Sequence, residues 1–285
     1  MVFINFIEVF YLYDMRRIIT TDKKGKKKLV NVPSHNIGIN EVGWDSGGGY
    51  NDYAGYLGPK LYLDAGRNDS YYSGSLYQNT GTTWKDVSGN NYNGTLNNGV
   101  SYTSNYGGSL DFNRADGEWV NTADLGSMTN FSVVTFARFD VAPVLGVNAL
   151  ITNRFNSGDS YVNFAIGSFG LDNKIVGGFW TSVLGWKYPT GYTVSTNTWY
   201  MFGVTYDGAT IRFYVNGVQY SSLAIVATVG TSTRGVSIAK RWDASTIPSD
   251  FFDGLIPVSI VYNKVISASD MTLVYNQFAP RYGLQ

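Results

Sequence analysis

Three glutamates, one histidine and no cysteine make up the whole supply of those side chains in this 285-residue chain. Glu8, Glu41 and the histidine, His35, precede residue 57, so the longer C-terminal part keeps Glu118 alone. A Ser-His-Asp triad needs an imidazole between nucleophile and carboxylate, and none is encoded after His35. A catalytic zinc held by His and Cys has no ligand set to draw on. Without cysteine there is no disulfide and no thiolate chemistry, which fits assembly in a reducing compartment. Paired aspartates remain as a means of glycoside hydrolysis, so the shortage of Glu weakens that chemistry without removing it.

Two segments could bind instead of catalyse. Asp111-Phe-Asn113-Arg-Ala-Asp116-Gly-Glu118 is rich in oxygen donors and is the candidate for calcium. It departs from the EF-hand pattern, because Ala115 takes the fifth position and Asp116 the glycine slot. Aspartates in turns, here also Asp64, Asp86, Asp243 and Asp253, commonly hydrogen-bond their own backbone, so calcium binding and turn chemistry both stand. The second segment is Gly185-Trp-Lys-Tyr-Pro-Thr-Gly-Tyr192, a loop between a strand at Ile175–Thr181 and one beginning at Trp199. Trp186, Tyr188 and Tyr192 offer flat apolar faces with polar edges, suited to stacking on sugar rings. The same residues suit an oligomer interface or plain local packing, and all three readings stay open.

A formal net charge of zero hides an uneven distribution. Arg16, Arg17, Lys23, Lys24, Lys26, Lys27 and Lys28 face only Glu8, Asp14 and Asp22 in the first 28 residues, leaving the rest of the chain at −4. Ahead of them, residues 1–13 are strongly apolar, with Phe3 and Phe6 among them, yet shorter than the roughly 20 residues a membrane span needs. They carry neither a basic leader nor a small-residue cleavage site. Either they dock as a strand on a neighbouring subunit, or translation starts at Met15. Gly25 within the lysine run, between β-rich stretches, predicts a hairpin with lysines at its tip. No aromatic interleaves those lysines, which disfavours a base-stacking nucleic-acid binder and leaves protein docking or a solvated tip. Gly43–Gly58 reads as an extended Gly- and Tyr-rich linker, putting the domain boundary near 56: an anchoring arm at 1–56 and one domain at 57–285.

The elements that must position these residues are strands. Hydrophobic content of 44%, aromatic content of 16%, 33 glycines and 7 prolines point to an all-β domain with tight turns. Phe131-Ser-Val-Val-Thr-Phe-Ala-Arg-Phe139 alternates with period two, setting Phe131, Val133, Thr135, Ala137 and Phe139 on one face. Asp207-Gly208 and Asn216-Gly217 between alternating runs predict a three-stranded meander over Trp199–Tyr220. One helix is expected at Ser267–Phe278, capped by Ser267 with Asp270 and burying Met271, Val274 and Phe278.

From Leu57 onward, a series of motifs falls in one order: Leu61-Tyr-Leu-Asp-Ala-Gly66, Thr83-Trp-Lys-Asp-Val-Ser-Gly-Asn90, Asn93-Gly-Thr-Leu96, Gly107-Gly-Ser-Leu-Asp-Phe112, Phe252-Asp-Gly-Leu255, Ile260-Val-Tyr-Asn263 and the terminal Ser267–Asn276 run. The series resembles the concanavalin A-like, laminin G-like jelly-roll family in the version found in bacteriophage structural proteins. The resemblance implies an all-β, two-sheet antiparallel jelly-roll sandwich with an extended N-terminal arm and one short C-terminal helix. It also implies a non-enzymatic virion protein, a capsid decoration or a head or tail fibre component. Such a protein is assembled in the host cytoplasm and present in several copies among other virion subunits. The alternative is a carbohydrate-binding adsorption module for host surface glycans, and a glycan hydrolase stands third. The Glu-x-Asp-x-Glu strand of family 16-type glucanases on this fold is missing here. No cofactor is expected beyond the calcium candidates.

Overall fold

The computed structural model describes residues 15–21, 27–33, 52–71, 81–143, 147–154, 162–169, 173–181, 183–229, 235–241 and 251–284. Phe3, Phe6, Lys23, Lys24, Lys26, His35 and Asp243 lie outside them. The chain divides into two compact units, Met1–Asp45 and Ser46–Gln285. In the first, β1 (Met15–Thr21) pairs antiparallel with β2 (Lys27–Pro33), from Met15 opposite Pro33 to Thr21 opposite Lys27. The expected hairpin is therefore present, with Arg16 and Arg17 in β1. Lys27 and Lys28 stand within β2, not at the tip.

The second unit opens with α1 (Tyr53–Tyr56), where the sequence reading placed extended linker. Asp52 caps it by accepting from the Gly55 N–H at 2.9 Å, and Ala54 N–H donates to Gln277 Oε1 at 2.8 Å. Residues 52–57 are thus built into the second unit. Strands follow in order: β3 (Leu61–Asp64), β4 (Thr83–Trp84), β5 (Gly94–Asn97), β6 (Ser101–Thr103), β7 (Ser109–Phe112), β8 (Trp119–Asn121) and β9 (Phe131–Phe139). Then come β10 (Val147–Arg154), β11 (Val162–Phe169), β12 (Lys174–Thr181), β13 (Gly185–Lys187), β14 (Tyr192–Thr193) and β15 (Trp199–Tyr206). The last are β16 (Thr210–Val215), β17 (Val218–Ala224), β18 (Ser237–Ile238) and β19 (Gly254–Tyr262), before α2 (Ala268–Phe278) and a 3-10 turn at Ala279–Tyr282.

Among the described residues, one sheet runs β13-β12-β11-β10-β18-β8-β5-β4, with β14 also on β12. The other runs β17-β16-β15-β9-β19-β7-β6, with β3 on β19 beside β7. Every pair is antiparallel. The alternation in β9 sorts its side chains as its period demands. Phe131, Val133, Ala137 and Phe139 enter the core between the sheets, while Val134 and Phe136 turn outward. There they meet Met271, Val274 and Phe278, the apolar stripe of α2, so the centre of this sheet is buried on both faces. Ser267 and Asp270 form the reciprocal capping box that holds the start of α2. In the meander, Asn216 and Gly217 take φ of 50° and 78°, the left-handed pair a tight hairpin turn requires. Gly217 also seats α2, because a Cβ there would lie 2.7 Å from Tyr275 Cβ. No helix among the described residues is long and apolar enough to cross a membrane.

Candidate aromatic binding face

β12 alternates between the two faces of its sheet. Ile175 and Phe179 enter the core, and Gly177 turns the same way, its missing Cβ leaving room for Val204 and Phe213. Gly178 and Trp180 therefore face outward. β13 returns along the sheet edge and sets Trp186 opposite Trp180, with ring centroids 5.8 Å apart and planes at 86°. The chain then crosses over Gly178 so closely that a Cβ there would meet the Lys187 carbonyl at 2.0 Å and Tyr188 Cβ at 3.0 Å. Trp180, Trp186 and Tyr188, all half-buried, consequently share one outward face at the edge of the sheet. Beside them Val183 is 87% exposed, and Leu184 is exposed too. The Trp180 indole N–H is itself buried, with no acceptor among the described residues.

Gly178→Ala should test this construction. The added methyl must displace the 187–188 backbone, costing about 1–3 kcal/mol and dispersing the three rings. An unchanged Tm together with unchanged tryptophan fluorescence would show that the crossing is looser than described.

The sequence reading treated Gly185–Tyr192 as one loop with three equivalent aromatics. The structure divides it into two short strands, β13 and β14, both on β12. Tyr192 leaves the face: its ring lies 5.2 Å from that of Tyr220 and 5.8 Å from that of Tyr200, packed against the core. For Tyr192, the local-packing alternative is the arrangement seen. Trp180 was not among the candidates, although its place three residues past Gly177, in alternating register, marks it as outward-facing.

The oxygen-rich loop is occupied by its own hydrogen bonds. Asn113 Oδ1 accepts from Ala115 N–H at 2.9 Å, Asn113 Nδ2 donates to Asp116 Oδ2 at 2.6 Å, and Glu118 Oε2 accepts from Asn113 N–H at 2.6 Å. Asp253 Oδ2 accepts from Arg114 N–H at 3.2 Å. Burial pushes the Asp111 carboxyl up, with Asp140 and Asp253 adding to it, and burial likewise pushes up Glu118. Oxygens of Asn113, Asp116 and Glu118 thus serve the turn's own hydrogen bonds. No group of three or more His, Cys, Asp or Glu among the described residues could hold a metal. Asp86 works in the same way, accepting from the N–H groups of Tyr62, Ser88 and Tyr92 at 2.9 Å each.

Comparison with solved structures gives the same fold at low identity. Domain 4 of AbnA, a family 43 extracellular arabinanase from Geobacillus stearothermophilus solved with arabinotriose, aligns with a TM-score of 0.57 at 16% identity. That alignment covers 76% of this chain and 98% of that one. The receptor-binding domain of botulinum neurotoxin type G gives 0.54 at 17% identity, over 76% of this chain and 50% of the toxin domain. The binding domain of paraclostridial mosquitocidal protein 1 gives 0.58 at 13%, over 78% and 52%. The chain thus spans nearly all of the arabinanase domain and about half of each toxin domain. Comparison with curated protein sequences returns no match. A laminin G-type family model, described as the concanavalin A-like lectin/glucanases superfamily, matches residues 112–272. Since that match takes in more than half of the chain, from β7 into α2, and runs through the strands that enclose the core, the chain belongs to the concanavalin A-like lectin/glucanase superfamily.

Proposed function

We propose that this chain is a non-enzymatic recognition protein of a bacteriophage particle, whose sandwich binds a glycan and whose N-terminal unit anchors it among the other virion subunits. The observation that carries the glycan reading is the outward face of Trp180, Trp186 and Tyr188 on the β12–β13 edge. Rings held by strand pairing present apolar planes without losing rotamer freedom on binding, and sugar C–H faces stack on such planes. The arabinotriose-bound neighbour shares the fold and is consistent with this use. Among the described residues, catalysis lacks a comparable arrangement. Glu118 is buried and bonded to the backbone, and the aspartates at the turns accept N–H bonds. The virion role rests on the phage-type motif series and on the basic N-terminal unit, which is compact apart from the sandwich.

A panel of immobilised oligosaccharides read against three proteins tests the glycan reading. Trp186→Ala should weaken binding about tenfold, on the scale of one stacked ring. Tyr192→Ala should lower Tm and leave affinity near wild type. Equal loss in both variants, or no ligand across the panel, would remove the aromatic face as the binding site.

A further inference from the structure

Three connections meet where β3 starts and β19 ends. Gly58-Pro-Lys60 joins α1 to β3, Asn90 lies between β4 and β5, and Asn263-Lys264 leads from β19 to α2. Together they line an open cleft of about 220 Å³. Its backbone is pinned: Lys60 N–H donates to the Val261 carbonyl at 2.7 Å, and Ser132 Oγ donates to the Lys264 carbonyl at 2.8 Å. Asn90 Nδ2 donates to the Pro59 and Lys60 carbonyls at 3.2 and 3.1 Å. The carbonyls of Pro59, Lys60 and Lys264 are therefore already occupied by donors. The Lys60 ammonium lies 5.3 Å from the centre of the Tyr92 ring, and Lys264 is exposed. Among the described residues, neither ammonium has a carboxylate at ion-pair distance. Asp86, in the loop that carries Asn90, spends its oxygens on the N–H groups of Tyr62, Ser88 and Tyr92.

We infer that this cleft is a site for a small oxyanion, a carboxylate or phosphate group, held between Lys60 and Lys264 with the exposed Asn263 carboxamide as a further donor. Two cations in one concavity focus a positive potential there, and a bound anion offsets their mutual repulsion. The potential is local, because residues 46–285 as a whole hold 14 basic and 16 acidic residues. A lysine ammonium is a compact point charge that takes a phosphate or carboxylate oxygen without a fixed two-pronged geometry. Volume limits the occupant. Sites for drug-sized ligands run to roughly 300–1,000 Å³, so this cleft suits one charged group, or a single sugar ring that bears it. Gly58 keeps the mouth clear: its φ is 64°, and nothing lies within 4 Å of where a Cβ would be. β3 and β19 belong to one sheet, β12 and β13 to the other, so the cleft is separate from the aromatic face. The inference stands independently of the glycan reading.

Amide NMR titrations of the full chain with inorganic phosphate, glucuronate and glucose test it. Both anions should shift the amides of Gly58, Asn90 and Lys264 saturably, with Kd on the order of 1 mM, and neutral glucose should not. Whichever anion binds more tightly identifies the source of the group, an acidic sugar or a phosphate. Lys264→Gln and Lys60→Gln should each weaken binding about threefold to fivefold, the weight of one partly exposed ion pair. Lys174→Gln, which removes an equal charge from exposed β12 surface, should leave it unchanged. Added sodium chloride should raise the Kd of the wild type, which decides the matter even if a lysine variant is unstable. No saturable shift with either anion, shifts centred elsewhere, a Kd indifferent to salt, or an equal loss in Lys174→Gln would each overturn the proposal.

Discussion

Arg281→Met is expected to lower the stability of the sandwich by about 3–5 kcal/mol, the largest single-residue effect foreseen here. Arg281 comes from the 3-10 turn after α2 and makes a bidentate pair with Asp64 of β3, at 2.5 and 3.0 Å. Asp64 is 1% exposed and the Arg281 side chain 9%. Removing the guanidinium strands a carboxylate in a place that water cannot reach, and that cost exceeds what the intact pair contributes. Glycines make the channel: a Cβ at Gly66 would lie 2.6 Å from Arg281 Nη1, and one at Gly107 would lie 2.3 Å from Arg281 Cγ. Gly66 N–H, donating to Asp64 Oδ1, fixes the carboxylate from its own side, and Ser70 Oγ holds the Asp64 backbone by accepting from its N–H. Urea unfolding of wild type, Arg281→Met, Asp64→Asn and the double variant gives the coupling. The double variant should be markedly less destabilised than the sum of the singles. A loss below about 1 kcal/mol for Arg281→Met would mean that water reaches the pair, as at a surface bridge.

That pair also shows what could be read from the chain and what could not. The motifs Leu61–Gly66 and Gly107–Phe112 were visible as patterns, but their purpose depends on an arginine 217 residues after Asp64. The Asn216-Gly217 turn and the Ser267/Asp270 cap were legible because each is decided within four residues by backbone geometry. The faces of β9 were legible because its residues alternate with period two from Phe131 to Phe139. α1 was missed for the opposite reason. A Gly- and Tyr-rich stretch has no helical periodicity, and its turn is held by Gln277 and by Tyr262 Oη, which donates to the Ala54 carbonyl at 3.1 Å. The binding face was half legible. Trp186 and Tyr188 stood out as aromatics between glycines. Trp180 could join them only once β13 was known to fold back on β12, and Tyr192 could leave only once Tyr200 and Tyr220 were known to enclose it.

Deleting residues 1–45 is expected to abolish incorporation into the particle while leaving a folded sandwich that binds its glycan as before. The removed stretch holds the apolar run Met1–Tyr13, which is too apolar to remain in water alone, and the basic cluster Arg16 to Lys28. The remainder, residues 46–285, holds 14 basic and 16 acidic residues, so the cations complement other acidic surfaces of a multi-subunit particle and steer assembly more than they tighten it. The sandwich keeps both of its cores, the one between the sheets and the one beneath α2, because none of their described residues precedes Tyr53. Its Tm should therefore match that of the full chain, and its glycan affinity should be unchanged. Several copies on one particle would gain avidity that the free domain lacks, so affinity has to be measured with monovalent ligand. Copy number per particle, from quantitative mass spectrometry of purified virions, reads the other half of the expectation. If the truncated protein still reaches wild-type occupancy, the sandwich itself is the anchor. If glycan binding falls with the deletion, the N-terminal unit contributes to the site, and the division of labour proposed between the two units is wrong.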